Sequence, residues 1–170
     1  IGCATKTEQY QSMEVIIGNA ENAMYKDKAM NRQSVNREII DTIVETLHAK
    51  KPDEKIHSIA TSEICGKLGD ALNLPEAEIN KLMRAGYLHD IGKNVIYDSM
   101  SLQDYRKDQE EKMRPHAVAG YRILNLFDDT LDLAEYVYSH HERWDGTGYP
   151  RGLKGKQIPL IARIISIVEG

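Results

Sequence analysis

Two short stretches of this chain gather residue types that bind metal ions. His89-Asp90 stands in HDIGK, His89 to Lys93, and His140-His141 opens HHERWDGTGYP, His140 to Pro150. His57 and His116 stand singly, each on an apolar stripe at helical spacing. Five of the six histidines therefore fall on faces expected to be buried. Imidazoles on a core face need a compensating partner, and a metal ion is one that several can share. A single histidine on such a stripe is more often a satisfied core residue, but five in one chain weaken that interpretation. His48, near a helix end beside Lys50 and Lys51, reads as structural or surface.

Adjacent residues on a helix point about 100° apart, so His89 and Asp90 can reach two different ions, with the carboxylate bridging through its two oxygens. Neutral imidazole suits iron, manganese or zinc, and carboxylate admits harder ions too. Two ions about 3.5–4 Å apart can activate a water and clamp the oxygens of a phosphodiester. Lys93, one helical turn past His89, can offer a cation to a phosphate oxygen. The residues point to a multi-metal phosphohydrolase centre with Asp90 and Lys93 as catalytic candidates. Asp53, one turn before His57, is either a solvated helix-start charge, as Glu54 is read, or a further ligand. Trp144 and Tyr149 are loop-packing aromatics or ligand contacts. Glu135, Glu142 and the KDQEEK run are read as exposed surface.

The elements that carry these residues read as helices. Val15, Ile16, Ala20, Ala23, Met24 and Tyr25 recur at three and four from about Ser12 to Lys28. Ser34 can cap a second helix with Ile39, Ile40, Ile43, Val44 and Leu47, or the two can merge. Pro52 breaks the pattern. His57, Ala60, Ile64, Leu68 and Ala71 share the next stripe, and Ile79, Leu82, Met83 and Gly86 lead on to His89 and Asp90. Asn94 to Gln109 is expected to be irregular and mobile. His116, Gly120, Ile123 and Phe127 form one further stripe, and Leu133, Ala134 and Val137 lead to His140 and His141. WDGTGYPRGLKG is turn-rich, and Pro159 can open a last helix with Ile161, Ile164, Ile165 and Val168 inward. IGCAT is the one candidate strand. The expected fold class is all-α, a helical bundle.

A chain of 170 residues, 41% hydrophobic and 28% charged, suits one soluble domain with a fragment of another. A net charge of −4 argues against DNA as a partner, because duplex binding wants a basic face. No run approaches the roughly 20 apolar residues of a membrane span. Cys3 and Cys65 lie far apart and no signal peptide is visible, so reduced thiols and a cytoplasmic location are expected. The chain begins on IGCAT and stops inside a helical pattern, so a longer parent is expected.

HDIGK followed by HHERWDGTGYP resembles the HD-GYP family, a branch of the HD phosphohydrolases whose members hydrolyse cyclic di-GMP. The resemblance runs from about Ile40 to the last residue and includes IPLIARIISI. It implies a metal centre in the bundle core holding two or three divalent ions, iron or manganese foremost. It implies the metal ligands His57, His89, Asp90, His116, His140 and His141, an active-site Lys93, and a Tyr149 that contacts the dinucleotide. The family's last ligand is an aspartate in an Ala-Asp step. Here the step reads Val168-Glu169, so Glu169 takes that place with a longer arm. Asp53 matches a position where some members hold a third metal. The segment between Lys93 and His116 is short and lacks the family's Lys-Pro-Gly turn. The chain also ends before the family's basic segment that helps hold the phosphates. The activity implied is metal-dependent hydrolysis of cyclic di-GMP to pGpG or GMP. The alternatives are a catalytically impaired domain that binds the dinucleotide, and an HD hydrolase for another cyclic dinucleotide.

IGCAT and AENAMYKDKAMNR, Ala20 to Arg32, resemble the C-terminal end of a GGDEF domain. Residues 1–33 are thus expected to be a GGDEF remnant with a linker helix, and 34–170 a C-terminally truncated HD-GYP-like domain. A GGDEF domain in cis or trans is the implied partner. The helical region between residues 10 and 50 suits a coupling rod or a homodimer contact.

Overall fold

The computed structural model describes residues 3–6, 12–99 and 109–169. Among them there is no strand, and the architecture is all-α. Cys3 to Lys6 are neither helix nor strand, and the rest of the IGCAT strand expectation lies outside the described residues. The chain divides into two compact units, 1–41 and 42–170, with the boundary inside the first helix, α1 (Met13–Lys50).

In the first unit, α1 runs through Ser34 without a break, so the two expected helices are one. Met13, Val15, Ile17, Tyr25, Met30 and Val35 are exposed. Val15 and Ile17 are two residues apart and so face nearly opposite ways on a helix, whereas Ile16, Ala20, Ala23 and Met24 of the expected stripe are half-buried.

The second unit begins with the last turns of α1, where Val44 and Leu47 are buried. α2 (Pro52–Ala71) opens on Pro52, whose missing N–H costs nothing in a first turn. Its buried face is Ser58, Thr61, Cys65, Gly66 and Gly69. The expected stripe is corrected here: Ala60, Ile64 and Ala71 point outward, and Ile64 is 43% exposed. The small residues win the inner face because α3 (Glu76–Leu88) packs closely on it, with Gly86 against Cys65.

α4 (Lys93–Ser99) replaces the irregular start expected after Asn94; residues 100–108 lie outside the described part. Then come α5 (Gln109–Met113), α6 (Pro115–Leu124), α7 (Leu131–Ser139) and α8 (Leu160–Glu169). α8 packs on α2, α3 and α7, and α6 packs on α4 and α7. The core is Leu82, Ala85, Leu88, Ile91, Ala117, Leu124, Leu133, Ala134, Val137, Ile158, Ile161, Ile164 and Ile165. Each large aliphatic side chain buried there stabilises the fold by about 1.5–3 kcal/mol. Phe127 lies past the end of α6, and Val168 is only half-buried.

Candidate metal centre

His89 and His140 each stand one residue past a helix, at the ends of α3 and α7. Carbonyls in the last turn of a helix lack an intrahelical N–H partner. His89 Nδ1 donates to Gly86 O at 2.7 Å and His140 Nδ1 to Val137 O at 2.5 Å. His116, at the start of α6, uses the same device on Met113 O, the last residue of α5. A carbonyl only accepts, so each Nδ1 carries a proton, and Nε2 offers a lone pair wherever the ring is neutral.

Those lone pairs converge. His57 Nε2 lies 3.1 Å from His89 Nε2, His116 Nε2 lies 3.1 Å from His140 Nε2, and His141 Nε2 lies 3.1 Å from His116 Nε2. Asp90 divides its carboxylate between them: Oδ2 is 3.0 Å from His89 Nε2 and 3.6 Å from His57, while Oδ1 is 3.3 Å from His116. Glu169 does likewise, with Oε1 2.9 Å from His89 and Oε2 3.9 Å from both His140 and His141. Two donor groups result: His57, His89, Asp90 and Glu169 form one, and His116, His140 and His141 the other. Asp90 is 1% exposed, and its Oδ1 accepts no hydrogen bond. Lone pairs facing one another around such a carboxylate are what a divalent cation satisfies, so the donors fit a metal site.

Burial opposes charge on the rings of His89, His116, His140 and His141. It pushes His140 well below its ordinary value and His141 to about 4, against the pull of Glu169. His116 is lowered by burial too, with Asp90 opposing. His89 is the exception. Burial pulls it down, but Asp90 and Glu169 outweigh that and raise it to about 10. A proton held there between two carboxylates competes with an ion for the same lone pair. Burial would raise Asp90, but His89, Lys93 and His116 hold it well below the carboxylate range. Glu169 is depressed despite its burial, through His57, His89 and His140.

Lys93 lies 2.6 Å from Asp90 Oδ2, with Glu54 on its other side at 3.1 and 3.2 Å. Tyr97 donates to Glu54 at 2.8 Å. Burial lowers the ammonium's pKa, and the two carboxylates more than restore it. Glu54 is thus no solvated helix-start charge. Asp53 is exposed and belongs to neither donor group. Side chains lean toward a helix's N-terminus, so a carboxylate four residues before His57 leans out past the rim.

A family model for the HD domain matches residues 20–170. The chain belongs to the HD domain family. Curated relatives include a protein of Thermotoga maritima named cyclic di-GMP phosphodiesterase, 35% identical over 66% of this chain and 32% of that protein. A second, of Xanthomonas campestris, is named cyclic di-GMP phosphodiesterase response regulator RpfG and is 37% identical over 64% of this chain and 30% of its own length. A third, from Vibrio cholerae, is named 3'3'-cGAMP-specific phosphodiesterase 2, at 30% identity over 81% of this chain and 27% of that protein. The chain spans about a third of the length of these relatives. Their names fit the HD-GYP branch to which the two motifs point.

Within this HD domain the loop after His141 is organised by Glu142, which is 2% exposed rather than on the surface. Its carboxylate accepts the backbone N–H of Arg151 at 2.7 Å and of Leu153 at 2.9 Å. Glu135 is paired with Arg151. Tyr149 stacks on His141 with ring centres 4.7 Å apart, and Arg114 lies 5.1 Å above the Tyr149 ring. Trp144 is 59% exposed and takes Arg163 over its face. A cleft of about 340 Å³ opens beside the centre, lined by Arg114, His141, Arg143, Thr147, Tyr149 and Glu169 among others. The sequence reading missed Glu54, Glu142, Arg114 and Arg143. Arg114, two residues before His116, and Arg143, inside the second motif, had a signal in their positions; Glu54 had none. His48 packs edge-on against Tyr87, away from both donor groups. No described helix is long and apolar enough to cross a membrane.

Proposed function

We propose that this chain is a metal-dependent phosphodiesterase for cyclic dinucleotides, with cyclic di-GMP as first substrate and pGpG or GMP as product. The observation that carries it is the convergence of imidazole Nε2 atoms on two carboxylates, each dividing its oxygens between two histidine groups. His57, His89, Asp90 and Glu169 would hold one divalent ion, and His116, His140, His141 and Asp90 a second. Iron and manganese suit that mixture of donors. Bound there, the ions supply Lewis acidity toward a phosphodiester and a nucleophilic water at neutral pH.

The chain's own residues do the rest. Asp90 keeps the two groups in register. Lys93, held between Asp90 and Glu54, puts a fixed positive charge beside the centre, where charge develops on phosphate oxygens. Tyr149, set by its stack on His141, offers a ring to a guanine or a ribose. The relatives' names support the substrate class, and the relative named for 3'3'-cGAMP, matching 81% of this chain, makes that dinucleotide the second candidate. A cytoplasmic location, a GGDEF domain as partner, the GGDEF remnant over residues 1–33 and a homodimer through α1 are carried as part of the same proposal, on the sequence patterns alone.

The test is elemental analysis of anaerobically purified protein beside chromatographic turnover of cyclic di-GMP and 3'3'-cGAMP. The double variant His89→Ala with Asp90→Ala should lose turnover and most bound metal while keeping its helical circular dichroism. Turnover retained in that variant would overturn the mechanism. Calorimetric binding without product from metal-replete wild type would favour a non-catalytic sensor.

A further inference from the structure

We propose that Arg114 and Arg143 form an anion subsite for the second phosphate of a cyclic dinucleotide, the one that is not cleaved. This rests on the phosphodiesterase reading and deepens it. A cyclic dinucleotide is a dianion with two phosphodiesters in one ring. The metal centre can engage one of them, so the other must lie a short way off and needs its own positive partner.

The cleft beside the centre meets that need by its position and its chemistry. His141 and Glu169 belong both to the donor groups and to the cleft wall, so the cleft opens directly onto the place of chemistry. Its wall adds Arg114, Arg143, Thr147, Tyr149 and Ser166, and among the described residues Glu169 is its one carboxylate. That carboxylate already faces His89 and His57. In a chain of net charge −4, two guanidinium groups on one small wall are a local reversal of sign.

Both arginines are held in place by the second motif. Arg114 lies over the Tyr149 ring, which is itself stacked on His141, so the guanidinium is the outermost layer of a stack built on a candidate ligand. No carboxylate pairs with Arg114 among the described residues. Arg143 sits where Gly148 crosses its backbone: a Cβ on Gly148 would lie 2.2 Å from Arg143 N. Asp145 acts electrostatically with Arg143, and its carboxylate already accepts from Thr147 N–H and Oγ1 at 2.9 and 2.6 Å. A planar fork of N–H donors matches a phosphate in a way that a lysine ammonium does not.

The experiment compares two substrates on metal-replete full-length protein. Cyclic di-GMP has a second phosphate; bis(4-nitrophenyl) phosphate has only the scissile one. Arg114→Ala and Arg143→Ala should each raise KM for cyclic di-GMP about tenfold, as expected for loss of a charge-assisted hydrogen bond. The same substitutions should change KM for bis(4-nitrophenyl) phosphate much less, and Arg→Lys should restore only part of the loss. Equal effects on both substrates, or none on cyclic di-GMP, would overturn the subsite while leaving the phosphodiesterase reading intact. If wild type cleaves neither substrate, that reading fails, and the subsite is judged by equilibrium binding of cyclic di-GMP. A dissociation constant raised about tenfold or more in the variants then supports it, and an unchanged one removes it.

Discussion

The turn after α3 and the loop after α7 each present an adjacent pair of candidate ligands, and they differ in charge and in anchoring. His89-Asp90 and His140-His141 both begin one residue past a helix, and in both the first histidine donates to the carbonyl three residues back. The first pair brings a carboxylate and, with Glu169, holds a proton on His89. The second brings only imidazoles, which burial keeps neutral. The first is anchored by backbone against backbone: a Cβ on Gly92 would lie 2.0 Å from His116 O and 2.4 Å from Gly120 N. The second is anchored by a side chain, Glu142, which gathers two loop N–H groups. One local device, a helix ended by histidine, thus serves two electrostatic roles, and what fixes each pair lies outside the pair.

The largest effect should come from Gly92→Ala. Neither atom in the way can swing aside, because both belong to the backbone of α6, so α4 and α6 must separate or the turn must move. A stability loss of about 3 kcal/mol or more is expected, read by denaturant unfolding. Metal uptake should fall at both donor groups, since the turn carries Asp90 and α6 carries His116. A variant of wild-type stability with full metal content would show that the close approach is not required.

Changing pH should separate the pairs by sign. His89 has a folded value raised to about 10, above its ordinary 6.5. Its contribution in metal-free protein is complete below the unfolded value and is lost as pH rises through the folded one. That one group gives a fall of at most about 1.4 kcal/mol per pH unit. His141 is lowered to about 4, so its contribution is complete above 6.5 and is lost as pH falls toward the folded value. Asp90 and Glu169, both depressed, add to the loss on the acid side. An ion held by His89 would displace that proton, so added metal should flatten the alkaline limb of a plot of unfolding free energy against pH. An alkaline limb that is the same with and without metal would refute the proton-for-metal exchange.

How much of this could be read beforehand follows the kind of constraint involved. That His57, His89, Asp90, His116, His140 and His141 would come together was legible from residue type and helical spacing, and Glu169 joined them only through the family resemblance. The bundle was legible from period, but the continuity of α1 through Ser34 was not, since the pattern allowed one helix or two. Glu54 and Glu142 were not, because their residue type predicts exposure. What buries them is a lysine 39 residues on and two loop N–H groups nine and eleven residues on. The inner face of α2 was missed for the converse reason: hydropathy favours Ile64, whereas close packing on α3 selects Ser58, Cys65 and Gly66. Asp53, read either as a solvated helix-start charge or as a further ligand, is exposed and lies in neither donor group, because side-chain tilt at a first turn carries it outward.

Glu142→Gln should give the smallest and most selective effect. The amide keeps one acceptor oxygen but turns an NH2 toward the other loop N–H, which leaves a buried donor unpaired. A loss of about 1–3 kcal/mol is expected, seen as a lower Tm. Because Glu142 follows His141 directly and Tyr149 N–H donates to His141 O at 3.2 Å, the loosened loop should disturb the His116, His140 and His141 group first. Metal titration by calorimetry should then show the event assigned to that group weakened by about tenfold, within the range for a supporting residue behind a ligand. The event assigned to His57, His89, Asp90 and Glu169 should stay in place. Equal weakening of both would mean that Glu142 supports the bundle as a whole, and that the two motifs are not separately anchored.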